Sequence, residues 1–133
     1  MTSDDVAPGV VRFTISAGRL DSVDHGGSAQ GLGSAYSGNG PFMNNPDFTS
    51  VHKHGPLPVG TYTIGAPENR PQSVGQFALP LLPAPDNQML GRSGFWIHGD
   101  NPAGDHTASD GCIVTSRVIR QICATYHTLE VVP

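Results

Sequence analysis

Alternation of apolar and polar positions opens the chain. In Val10-Val11-Arg12-Phe13-Thr14-Ile15-Ser16 the residues Val11, Phe13 and Ile15 fall on one face of an extended segment, because successive strand side chains point to opposite sides. Ala17-Gly18 can turn, and residues 19–23 can return as a second strand, which predicts a hairpin. A polar, glycine-rich stretch over 24–40 follows, interrupted by Leu32 and by Ala35-Tyr36, a short strand ending at Ser37-Gly38. Residues 39–58 form a long loop, a length that in compact domains signals function or disorder, and Phe42, Met43 and Phe48 predict that part of it packs. Residues 59–64 are a strand rich in β-formers, 67–75 a loop, 76–82 a strand broken at Pro80, and 83–88 a turn. Phe95-Trp96-Ile97 gives another strand, and residues 129–132 a closing one. Residues 115–126 form the helix: Thr115 or Ser116 can cap it, and Val118, Ile119, Ile122, Cys123 and Tyr126 recur on one face. Some six or seven short strands and one helix make the architecture mainly β.

At 133 residues the chain is one domain, expected over 10–133 behind a flexible tail at 1–9. Its 17 glycines and 12 prolines lie between apolar runs instead of in repeats, so they punctuate turns. Net charge is −4, with Lys53 the single lysine, and no basic stripe exists to neutralise phosphates; nucleic acid is not expected as a partner. No apolar run approaches the ~18 residues of a membrane span. The acidic start, MTSDDVAPG, lacks the apolar core of a secretory signal, so the expectation is synthesis in the cytoplasm without a signal peptide.

Candidate chemistry concentrates in GRSGFWIHGDNPAGDHTASDGCIV, residues 91–114. His98 ends a strand with Gly99 beside it, and Cys112 follows Gly111 in a polar turn ahead of the helix. Such a turn gathers backbone N–H groups, and a helix N-terminus favours a thiolate; both predict a thiol pKa below its free value of ~8.5. The same N–H groups offer an oxyanion site. Cys123 sits on the apolar helical stripe, where a free cysteine behaves as a buried hydrophobe; a Cys112–Cys123 disulfide is the less favoured alternative. Of the six histidines, His25, His52 and His54 sit in loops with no partner in sequence, and His127 follows the helix. His106 lies between strand and cysteine as a secondary or substrate contact. His98 has the most constrained backbone and is the candidate base. A metal site is the competing reading, since His98, Asp100, Asp105, His106, Asp110 and Cys112 are all ligand types, although their spacing matches no compact zinc pattern. No cofactor is expected.

His98-Gly99, a loop, and Ser109-x-Gly111-Cys112-Ile113 resemble the catalytic signature of the L,D-transpeptidases. With Tyr36-Ser37-Gly38, Asn44-Asn45-Pro46, Gly55-Pro56-Leu57-Pro58-x-Gly60-x-Tyr62 and Gly91-Arg92-Ser93-Gly94-Phe95, the pattern is most similar to the L,D-transpeptidase-like effectors of type VI secretion systems. Asp110 replaces the signature histidine, and the spacing from His98 to Cys112 is short. The resemblance implies a β-sandwich of short mixed strands with one helix after the catalytic cysteine. It implies Cys112 as nucleophile and His98 as base. Gly99, Ser109, Asp110 and Gly111 would shape the catalytic turn, and Arg92, Ser93, Tyr62 and His106 would contact substrate. The implied activity is L,D-carboxypeptidase or D-amino-acid exchange on peptidoglycan tetrapeptide stems in the periplasm of target bacteria. Secretion machinery and a cognate immunity protein would be the partners. A wall-binding β module with an inert thiol and a metal-dependent peptidoglycan hydrolase are the alternatives.

Overall fold

The computed structural model describes residues 9–101 and 109–133. Ten strands run as β1 (Val10–Thr14), β2 (Arg19–Val23), β3 (Ala29–Ser34), β4 (Tyr36–Ser37), β5 (Gly60–Ile64), β6 (Glu68–Arg70), β7 (Gly75–Pro83), β8 (Trp96–His98), β9 (Ile113–Val114) and β10 (Thr128–Val132). One α-helix, α1 (Arg117–Cys123), lies between β9 and β10. The strands join into one mixed sheet in the order β3-β2-β1-β10-β5-β7-β8-β9-β4, with β6 attached to β7. Two pairs are parallel, β1 with β10 and β8 with β9. The architecture is mainly β, as the sequence predicts.

The opening hairpin follows its pattern. Val11, Phe13 and Ile15 are fully buried, and they meet Leu20, Tyr62, Leu79, Ile97, Ile113 and Leu129 in one core. Both ends of the strand order supply that core, so the sheet curls around it. The long loop packs through two short 3-10 turns, Gly40–Phe42 and Pro46–Phe48, and the rings of Phe42 and Phe48 meet edge to face at 5.0 Å.

Three strands lie outside the sequence pattern. β3 and β6 are polar or glycine-rich and are held by ladders to β2 and β7, while β9 spans only two residues. β7 runs unbroken through Pro80. Its carbonyl accepts from Gly65 N at 2.8 Å, just beyond the end of β5, so the missing N–H falls where that ladder has stopped.

The helix differs more. It has seven residues, capped by the Ser116 hydroxyl on Ile119 N, while Thr115 Oγ1 donates instead to Ser34 O at 2.8 Å. Val118 and Ile122 are exposed, and the face turned inward carries Arg120 and Cys123. Arg120 is accommodated because its guanidinium donates to Phe77 O (3.0 Å), Thr115 O (2.7 Å) and Gln76 O (3.4 Å), satisfying a charge that burial would otherwise penalise.

Candidate active site

The parallel pairing of β8 with β9 builds the site. Ile97 pairs with Ile113 and His98 with Val114; both isoleucines are fully buried. Side chains alternate along a strand, so Trp96 and His98 on β8 share the opposite face with Cys112, which directly precedes β9. All three line one cleft of about 660 Å³, together with Lys53, Arg92, Ser93 and Asp110.

His98 is buried and its orientation is fixed. Nδ1 lies 2.7 Å from Gly99 O; a carbonyl only accepts, so Nδ1 carries the proton and Nε2 keeps the lone pair. Burial lowers the His98 pKa below 6.5, the nearby Arg120 guanidinium acts in the same direction, and the Gly99 hydrogen bond and the charges of Asp100 and Asp110 oppose them. The imidazole is therefore neutral at pH 7, the form a base requires. Gly99 is needed where it stands: a β-carbon there would lie 2.9 Å from Arg120 Nη1. Beyond it, Tyr36 donates its hydroxyl to Asp100 Oδ1 at 2.7 Å, fixing the exit of β8.

The Cys112 thiol contradicts the sequence expectation. Burial pushes its pKa up to about 11, the Trp96 N–H contact at 3.3 Å opposes that rise, and the charge of Asp110 adds to it. The helix starts only at Arg117, with β9 between it and Cys112. Among the described residues, no hydrogen bond joins Cys112 Sγ to the His98 ring. The pair rests as a neutral thiol and a neutral imidazole. Cys123 is free and fully buried, with its pKa raised to about 12 by burial, which agrees with its assignment to the core.

Ser109 organises the turn that carries Cys112. Its buried Oγ accepts from Gly38 N (2.9 Å) and Gly111 N (3.0 Å) and donates to Cys112 O (2.5 Å). The Gly111 N–H is thus spent on Ser109 in this conformation, which corrects its expected role as an oxyanion donor. Gly111 has φ 131°, and a β-carbon there would meet Arg92 Nη2 at 2.5 Å and the Phe95 ring at 2.7 Å. Ser37, quoted in the motif but given no role there, donates from Oγ to Gly111 O (2.7 Å) and accepts from Leu57 N (3.0 Å). Asp110 is exposed and lines the cleft, and its carbonyl accepts from Arg92.

Two expected substrate contacts are instead structural. Arg92 donates to the carbonyls of Thr49 and Pro56 (2.6 Å each) and of Gly55 and Asp110 (3.0 Å each), and stacks over Phe95 at 5.2 Å. No fork remains for a carboxylate. Tyr62 is fully buried and donates to Pro58 O at 2.6 Å; burial raises its pKa. Ser93 stands exposed on the cleft wall. His106, with Asp105, lies outside the described residues. His52 and His54 do have partners, at Leu90 O (3.2 Å) and Asn39 Oδ1 (2.9 Å). Among the described residues, no three of His, Cys, Asp and Glu group in a way that would hold a metal ion.

Comparison with protein families matches residues 32–131 to the Tlde1 domain. The chain belongs to that family. The Tlde1 domain is the L,D-transpeptidase effector domain of type VI secretion, directed at peptidoglycan. Its match spans the β8–β9 cleft, the serine turn and α1, and leaves out the opening hairpin. No curated protein matches the sequence. Among solved structures, Bdellovibrio bacteriovorus Bd1075 shares the fold with a TM-score of 0.64 at 16% identity, over 98% of this chain and 49% of that one. This Tlde1 domain therefore spans about half the length of that protein. No helix among the described residues is long and apolar enough to cross a membrane.

Proposed function

We propose that the protein is an antibacterial effector whose Cys112 cleaves the terminal D-Ala from peptidoglycan tetrapeptide stems. One observation carries this reading: His98, with Nδ1 bonded to Gly99 O and no hydrogen bond to Nε2 among the described residues, faces the same cleft as Cys112 from the neighbouring strand.

The raised thiol pKa sets the form of the mechanism. With no standing thiolate, His98 Nε2 removes the thiol proton as Sγ attacks, which is general-base catalysis. Sγ bonds to the carbonyl carbon at the L-centre of diaminopimelate, and the C–N bond to D-Ala breaks. The imidazolium returns its proton to the departing amine, leaving a thioester on Cys112. Water then releases the tripeptide and restores the thiol (L,D-carboxypeptidase), or the amine of another D-amino acid takes the acyl group (exchange). The chain would reach the target periplasm through secretion machinery, and an immunity protein covering the cleft would protect the producer.

Purified tetrapeptide muropeptides test this by mass spectrometry. Cys112→Ala is expected to lose at least ~10³-fold of D-Ala release, since removing a nucleophile removes the covalent route. Release at the wild-type rate by that variant would overturn the nucleophile. Full activity in His98→Ala, with loss in His106→Ala, would move the base to His106.

A further inference from the structure

With Arg92 committed to backbone carbonyls, Lys53 is the other Lys or Arg among the described residues that line the cleft. Lys53 lines the same cleft as Cys112 and Trp96 and is exposed. Among the described residues its ammonium makes no ion pair or hydrogen bond, although Asp110 lines the same cleft. Its backbone stands at φ 67°, a left-handed conformation that residues other than glycine adopt at a cost and that persists where neighbours enforce it.

Asn39 is the enforcing neighbour. Its Nδ2 donates to Lys53 O and to Ser109 O, each at 2.9 Å, and its own N–H donates to His54 O at 2.8 Å. One amide side chain thereby holds the lysine turn in register with the serine turn that carries the nucleophile. A backbone held beside the serine turn, carrying an exposed ammonium into the same cleft, suggests a ligand of opposite charge.

We infer that Lys53 is the specificity-determining residue of the cleft and takes a carboxylate of the acyl donor. The inference rests on the stem-peptide reading above. A stem tetrapeptide offers two such groups, the terminal carboxylate and the side-chain carboxylate of diaminopimelate. A point charge on a flexible stem suits either.

Trp96 is the chain's single tryptophan and lines the cleft, so its fluorescence reports occupancy without turnover. Cys112→Ala protein is titrated with the free-acid tetrapeptide, its terminal carboxamide, and an analogue amidated on diaminopimelate. One amide is expected to bind about tenfold more weakly than the acid, which identifies the carboxylate that is read. Adding Lys53→Met erases the difference, Lys53→Arg retains most of it, and raising ionic strength narrows it. An acid-to-amide ratio that Lys53→Met leaves unchanged, or no ratio in the parent, overturns the assignment. Turnover separates the two readings. No D-Ala release by the wild type sinks the stem-peptide reading, whereas release with a ratio insensitive to Lys53→Met sinks the role of Lys53 alone.

Discussion

Arg92→Met separates a scaffold from a substrate contact. Methionine keeps the length and apolar stem of arginine but removes every donor. Four carbonyls lose their partner, and two of the four bonds, to Gly55 and Pro56, are fully buried. Hydrogen bonds to a charged group contribute about 1.5–3 kcal/mol each. Water can replace the guanidinium at the part-buried Thr49 and Asp110 carbonyls, so the irreplaceable loss is about 3–6 kcal/mol. Relief from burying a charge offsets some of it. The net expectation is a destabilisation of about 2–4 kcal/mol, a fall in Tm on the order of 10 °C for a chain of this size. Urea unfolding followed by circular dichroism reads it as a lower midpoint at unchanged slope. Activity measured well below the transition should keep the preference for acid over amide substrates. Stability within ~0.5 kcal/mol of wild type, or loss of that preference, would show that Arg92 binds substrate after all.

Ser109→Ala strips the partner from two buried N–H groups, of Gly38 and Gly111, and is expected to cost about 2–4 kcal/mol in the urea midpoint; an unchanged midpoint would remove Ser109 from the scaffold. Iodoacetamide labelling, read by mass spectrometry, should find Cys112 slow at neutral pH and faster as pH rises toward its pKa of about 11, since the thiolate is the reactive form. Asp110→Asn removes a charge that holds the thiol proton and should speed labelling at any given pH below that value; an equal or slower rate contradicts the electrostatic role of Asp110.

The strands with alternating β-formers were legible from sequence, because their pattern and their burial have one cause. The motif picked out His98 and Cys112, and the two residues do line one cleft. Three kinds of information were not local. The ladders that hold β3 and β6 come from neighbours distant in sequence. The thiol pKa depended on burial by residues distant in sequence. The roles of Arg92 and Tyr62 turned on burial: Arg92 is tied to the carbonyls of Gly55 and Pro56, nearly forty residues upstream. Arg120 left a trace in the sequence, since it stands next to the apolar helical positions Ile119 and Cys123 on a helix too short for a wide stripe. Ser37 and Asn39 left only their place beside Gly38 and Gly40.

The position of β10 has a consequence for biosynthesis. The strand nearest the C-terminus is central, paired on one side with β1 and on the other with β5, and Ser16 N donates to Pro133 O at 2.8 Å. Sheet assembly therefore waits for β10 to emerge from the ribosome, and it depends on sequence-distant pairings of the kind that slow folding. A nascent chain lacking β10 leaves both neighbouring edges unpaired, so the cleft is completed only after translation has passed Val132.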